Sequence, residues 1–80
     1  MLLNLYTLTN INNEQELKEF MSKMKHLLQI GVKIYLTFLP RSLPTDFTAT
    51  VELSDSNFDN VEEWLKQYYK HVNILVHVFV

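Results

Sequence analysis

Hydrophobic and polar positions along this chain follow two periods in turn, and the switches between them mark out six elements. Leu2 to Thr9 alternates, which puts Leu3, Leu5 and Thr7 on one face of a strand and Asn4, Tyr6 and Leu8 on the other. After Asn13 the period lengthens, and Leu17, Phe20, Met21, Met24 and Leu28 fall on one stripe of a helix running to about Ile30. Val32 to Leu39 alternates again, with Val32, Ile34, Leu36 and Phe38 inward and Lys33, Tyr35, Thr37 and Leu39 outward. Asp46 to Leu53 repeats the pattern, setting Phe47, Ala49, Val51 and Leu53 against Thr48, Thr50 and Glu52. A second helical stripe follows in Phe58, Val61, Leu65 and Tyr68, flanked by Trp64. The last segment places Val72, Ile74, Val76, Val78 and Val80 on one face, and its β-branched density marks a strand.

Local signals punctuate these elements. Asn13 is placed to cap the first helix, with Glu16 at the third helical position in an asparagine version of the capping box. Gly31, the only glycine, falls where a helix end needs a left-handed backbone. The run Pro40 to Pro44 breaks the alternation and predicts a semi-rigid hairpin loop. Ser54 to Asn57 is a second cap cluster. Acidic residues open each helix (Glu14, Glu16, Glu19; Asp55, Asp59, Glu62, Glu63) and basic ones close it (Lys23, Lys25, His26; Lys66, Lys70, His71). That bias complements the helix macrodipoles and accounts for the charge runs without a recruited carboxylate site.

The order strand, helix, strand, strand, helix, strand resembles the ferredoxin-like βαββαβ arrangement over the whole chain. The resemblance is to a fold and not to a family. It implies an α+β domain, residues 1–80, with a four-stranded antiparallel sheet in the order 4-1-3-2 and two antiparallel helices on one face. The last strand would then lie at an edge beside the first.

Composition narrows the function classes. Eighty residues with 48% apolar content make one small globular domain. A net charge of −2 and a single arginine, Arg41, give no electrostatic push toward nucleic acid or an anionic membrane. With no cysteine there is no disulfide, iron–sulfur cluster or thiolate zinc site. Met1 to Leu8 lacks the basic start of a signal peptide, and the last strand is far shorter than the ~20 residues of a membrane helix. A cytoplasmic location is the expectation. One glycine, one alanine and many Asn, Lys, Leu, Phe and Tyr residues suggest an AT-rich genome, such as a low-GC bacterium or a phage living in one.

Candidate chemistry is sparse. His71 and His77 are six residues apart on an extended segment, ~20 Å, and His26 closes the first helix, so no metal-ligating pair is expected. Glu62 and Glu63 are adjacent on a helix and diverge. There is no nucleophile elbow and no glycine-rich phosphate loop. Acylphosphatases share the strand order but need such a loop and an arginine after the first strand, where this chain has Thr9-Asn10-Ile11-Asn12. Metallochaperones of this shape need a Cys-x-x-Cys. RNA-recognition modules stack bases on central-strand aromatics; Tyr6 could serve, but the third strand offers Thr48, Thr50 and Glu52. The expectation is no enzyme, no cofactor and no metal.

What remains is the sheet face away from the helices. Tyr6, Leu8, Tyr35, Leu75, His77 and Phe79 would gather there with Leu39, more apolar surface than a solitary monomer usually exposes. The last strand carries no internal proline or lysine to blunt its edge. These features predict a small non-catalytic protein-binding module, or a homodimer, joined through the open face and the last strand. Small size and acidic balance liken it in kind to phage or mobile-element inhibitors of host defence, such as anti-CRISPR proteins. The alternatives are an RNA- or DNA-binding domain using the open face, and a dimeric ACT-like small-ligand sensor.

Overall fold

The computed structural model describes residues 4–41 and 48–79. Strand β1 (Asn4–Thr9) leads to helix α1 (Glu14–Gln29), strands β2 (Lys33–Pro40) and β3 (Ala49–Leu53), helix α2 (Phe58–Tyr68), a 3-10 turn (Tyr69–His71) and strand β4 (Val72–Phe79). All six expected elements are present. Expectations for Leu2, Leu3, Asp46, Phe47, Val80 and the 42–44 part of the hairpin loop lie outside the described residues. Pro40 does not break its strand; it is the last residue of β2 and pairs with Val72.

The local signals act as their chemistry predicts. The Glu16 N–H donates to Asn13 Oδ1 at 2.9 Å, while the Glu16 carboxylate reaches back to the Asn12 N–H at 3.1 Å, one residue earlier than in the usual box. Gly31 has φ +90° after the C-cap residue Ile30, and its N–H donates to the Leu28 carbonyl. Asn57 works differently from a simple cap. Its Oδ1 accepts from the Ser54 N–H and its Nδ2 donates to the Glu52 carbonyl, both at 2.8 Å, so it ties the end of β3 to the start of α2.

The chain is an α+β fold, a four-stranded antiparallel sheet with two helices. The strand order is β1-β4-β2-β3, and this corrects the expected 4-1-3-2. Each helical connection still skips one strand: β1 to β2 passes over β4, and β3 to β4 passes over β2. What differs is the side of β2 on which the hairpin lays β3, outside rather than inside. The last strand is therefore central, bonded on both sides, and the first strand is an edge.

The inner faces give the physical reason. In β4, Val72, Ile74, Val76 and Val78 are all buried, whereas β1 offers Leu5, Thr7 and Thr9 on the same side. A run of four β-branched apolar residues gains most from neighbours on both sides, and threonines tolerate the margin of the helix layer. β1 is accordingly exposed along nearly its whole length.

The core is one cluster between the sheet and the helices, built from Leu17, Phe20, Met21 and Met24 of α1, Val61 and Leu65 of α2, and the inward strand residues. Two expectations for α2 are corrected. Trp64 and Tyr68 are not buried but 39% and 43% exposed. The stripe continues instead through Val61, Leu65 and Tyr69 at spacings of four, and the 3-10 turn carries Tyr69 inward at 9% exposure. Ile11, in what reads as a polar turn, is 1% exposed and plugs the junction of β1 and α1. Across the two helices Lys25 of α1 lies 5.8 Å above the Phe58 ring at the start of α2, as antiparallel packing requires.

Candidate contact surface

Antiparallel partners point to the same side of a sheet, so the register alone assembles the face opposite the helices. One row across the strands reads Tyr6, His77, Tyr35, Glu52; the rows beside it read Asn4, Phe79, Lys33 and Leu8, Leu75, Thr37, Thr50. The six residues expected on this face, Tyr6, Leu8, Tyr35, Leu75, His77 and Phe79, are thus brought together on it. Strand order decides how they sit. With β4 and β2 at the centre, His77, Phe79 and Tyr35 form the middle of the face and Tyr6 and Leu8 its margin.

The aromatic side chains pack on one another. The Tyr6 ring stacks on His77 with centroids 3.9 Å apart and 19° between planes. His77 lies 4.0 Å from Phe79, and Phe79 meets Tyr35 edge-on at 5.5 Å. Beneath this cover His77 Nε2 is enclosed and has no hydrogen-bond partner among the described residues. Tyr6 and Leu8 remain 63% and 58% exposed. Thr37 and Thr50 join hydroxyls at 3.0 Å across β2 and β3. Lys33 and Glu52 are the charged residues among these rows, and their charges offset each other.

Elsewhere the charged groups are structural or solvated. Arg41 donates from Nε to the Val72 carbonyl at 2.7 Å and from its guanidinium NH2 to the Ile11 carbonyl at 2.9 Å. The guanidinium thereby joins the end of β2 to the starts of β4 and α1, which occupies the chain's one arginine. Glu63 and Lys66 approach at 3.9 Å in the open, a pair worth little to stability. His26 and His71 are exposed at separate ends of the molecule, and among the described residues no three His, Asp or Glu side chains converge as a metal site. No described helix is long and apolar enough to cross a membrane.

A second apolar surface was not anticipated. On the helix side, a groove of about 400 Å³ runs between β1 and α1, floored by Leu5, Thr7, Val76 and Val78 and walled by Phe20, Met24 and Leu27. Leu5 is 55% exposed at its mouth. The sequence signal for it is the pair of threonines on the inner face of β1, too polar for a strand covered on both sides.

Comparison with family models, curated proteins and solved structures gave no match.

Proposed function

We propose that this protein is a non-catalytic protein-binding module whose contact surface is the open face of its sheet. One observation carries the reading: Tyr6, His77, Phe79 and Tyr35 form a continuous aromatic cluster there, flanked by Leu8 and Leu75, with a single lysine offset by a single glutamate. A near-neutral aromatic patch of this kind has the make-up of an interface centre, rich in aromatic residues and poor in charge. Occlusion of a host protein, as by a phage-encoded inhibitor, is the form of this function that fits so small a chain.

The second reading, binding of single-stranded nucleic acid, draws support from the same strand order. His77, Phe79 and Tyr35 stand on the central strands, where bases stack in sheet-based RNA readers. Against it, phosphate neutralisation takes several cations, and these rows supply Lys33 alone while Arg41 is engaged by backbone carbonyls.

A double variant, Tyr6→Lys with Leu8→Lys, changes two exposed apolar positions of the face without touching the core. The expected result is a protein captured from host lysate by the wild type, resistant to nuclease and lost with the variant. Retention of that protein by the variant would refute the sheet-face assignment. Binding of a labelled single-stranded oligonucleotide that weakens steeply with salt would establish the second reading in its place.

A further inference from the structure

Among the described residues the edge of β1 is open and undefended, with an exposed apolar side chain on each face. Among the described residues its outer row of N–H and C=O groups has no strand beside it, since β1 pairs there with β4 alone. Proteins usually blunt such an edge with lysine, proline, a bulge or a very short strand; Asn4-Leu5-Tyr6-Thr7-Leu8-Thr9 has six residues, none charged and none proline. The other edge, β3, has five residues and presents Glu52. Leu5 on the helix side and Tyr6 and Leu8 on the open side are each more than half exposed.

We infer that a second copy of this chain pairs along β1, antiparallel about a two-fold axis normal to the sheet, making one eight-stranded sheet. A two-fold axis of that kind keeps the helix layers on one side, so paired residue numbers sum to an even number, and an axis at Thr7 engages five pairs. Tyr6 then lies beside Leu8 of the other copy on the open face, twice, and Leu5 beside Thr9 at the mouth of the groove, twice. The register fills the groove's open side and completes the backbone pairs in one approach.

Charge on α1 selects this orientation. The flank of α1 that overhangs β1 carries Glu16 and Glu19 toward its start and Lys23 toward its end. The short turn between Thr9 and Glu14 makes α1 run back along β1, its start beside the Thr9 end, and residues from Leu5 to Asn10 line one groove with residues from Glu16 to Leu27. An axis through Thr7 therefore sets the acidic half of one α1 against the basic half of the other. A parallel pairing would oppose like charges. The surface is complementary to itself in the antiparallel sense only.

Tyr6 and Leu8 belong to both this seam and the sheet face, so the test uses Leu5, Glu19 and Lys23, which lie on the helix side and leave the open face unchanged. The chain has no cysteine, so single-cysteine variants report cleanly. Under mild oxidation Thr7→Cys, on the axis, is expected to crosslink two copies, while Thr37→Cys, in the middle of the open face, is not. In sedimentation the wild type is expected at twice the chain mass, with Leu5→Lys weakening association about tenfold or more. Glu19→Lys and Lys23→Glu should each weaken it, and the double reversal should restore it, which loss of monomer stability would not do. A chain that sediments as a monomer at near-millimolar concentration overturns the inference. So does a dimer crosslinked through Thr37→Cys but not Thr7→Cys, which would mean two open faces packed together.

Discussion

The Arg41 Nε–H donates to the carbonyl oxygen of Val72 at 2.7 Å, joining the end of β2 to the start of β4 across 31 residues of sequence. The same guanidinium reaches the Ile11 carbonyl, and the Arg41 N–H reaches the His71 carbonyl. Both side-chain bonds are part-buried and charge-assisted, and truncation leaves two carbonyls short of a donor. Arg41→Ala is therefore expected to cost about 2–3 kcal/mol in urea unfolding. Arg41→Lys, which offers one compact cation in place of a planar fork, should recover only part of it. Equal stability of wild type and Arg41→Ala would show that the clamp contributes nothing.

Gly31 closes α1 at φ +90°, and a Cβ built there meets nothing within 4 Å. Strain is then purely a backbone matter. Gly31→Val should lower stability by about 1–2 kcal/mol, and Gly31→Asn by less, since asparagine enters the left-handed region more readily. Denaturation midpoints for the two variants would check the order.

Adjacent tyrosines at the end of α2 should behave oppositely. Tyr69 is 9% exposed and Tyr68 43%. Tyr69→Ala is expected to cost about 3 kcal/mol or more, as truncation of a buried aromatic does, and Tyr68→Ala about 1 kcal/mol or less. Acrylamide should quench Trp64 emission appreciably in the folded protein, because the indole is only partly covered where it packs 4.8 Å from Phe38.

These tyrosines mark one limit of what the sequence makes legible. Spacings of three and of four both belong to a helix, so Val61 and Leu65 lead equally well to Tyr68 or Tyr69; the 3-10 turn decides between them. The faces of the strands were legible because period two is unambiguous, and so Tyr6, Leu8, Tyr35, Leu75, His77 and Phe79 could be gathered on one side. Strand order was not, because inward–outward alternation is the same whichever neighbours a strand takes. Thr7 and Thr9 opposite Val76 and Ile74 were the one compositional hint that β1, and not β4, is the edge. Ile11 was hidden by the polar residues around it.

His77 offers a test of the aromatic cluster. Its Nε2 is enclosed between rings without a hydrogen-bond partner among the described residues, so the imidazole bears the desolvation of a polar atom and gains only contact. Replacing such a group with an apolar one of similar shape is near neutral or stabilising. His77→Phe should melt at or above the wild-type temperature. A loss of more than about 1 kcal/mol would mean that Nε2 has a partner in solution.

The position of β4 also governs how the chain acquires its shape during synthesis. Among the described residues β1 pairs with β4 alone, and β2 with β3 and β4, so before residues 72–79 leave the ribosome the β2–β3 hairpin is the piece of this sheet that can form. Synthesis runs at about 5–20 residues per second, and until β4 emerges the nascent chain holds β1 unpaired and the inner face of the hairpin uncovered. β4 must then slide between two segments separated by the whole of α1, a closure of long loops that slows folding. Assembly of the whole sheet thus waits for this strand, and a chain lacking it keeps at most the β2–β3 hairpin.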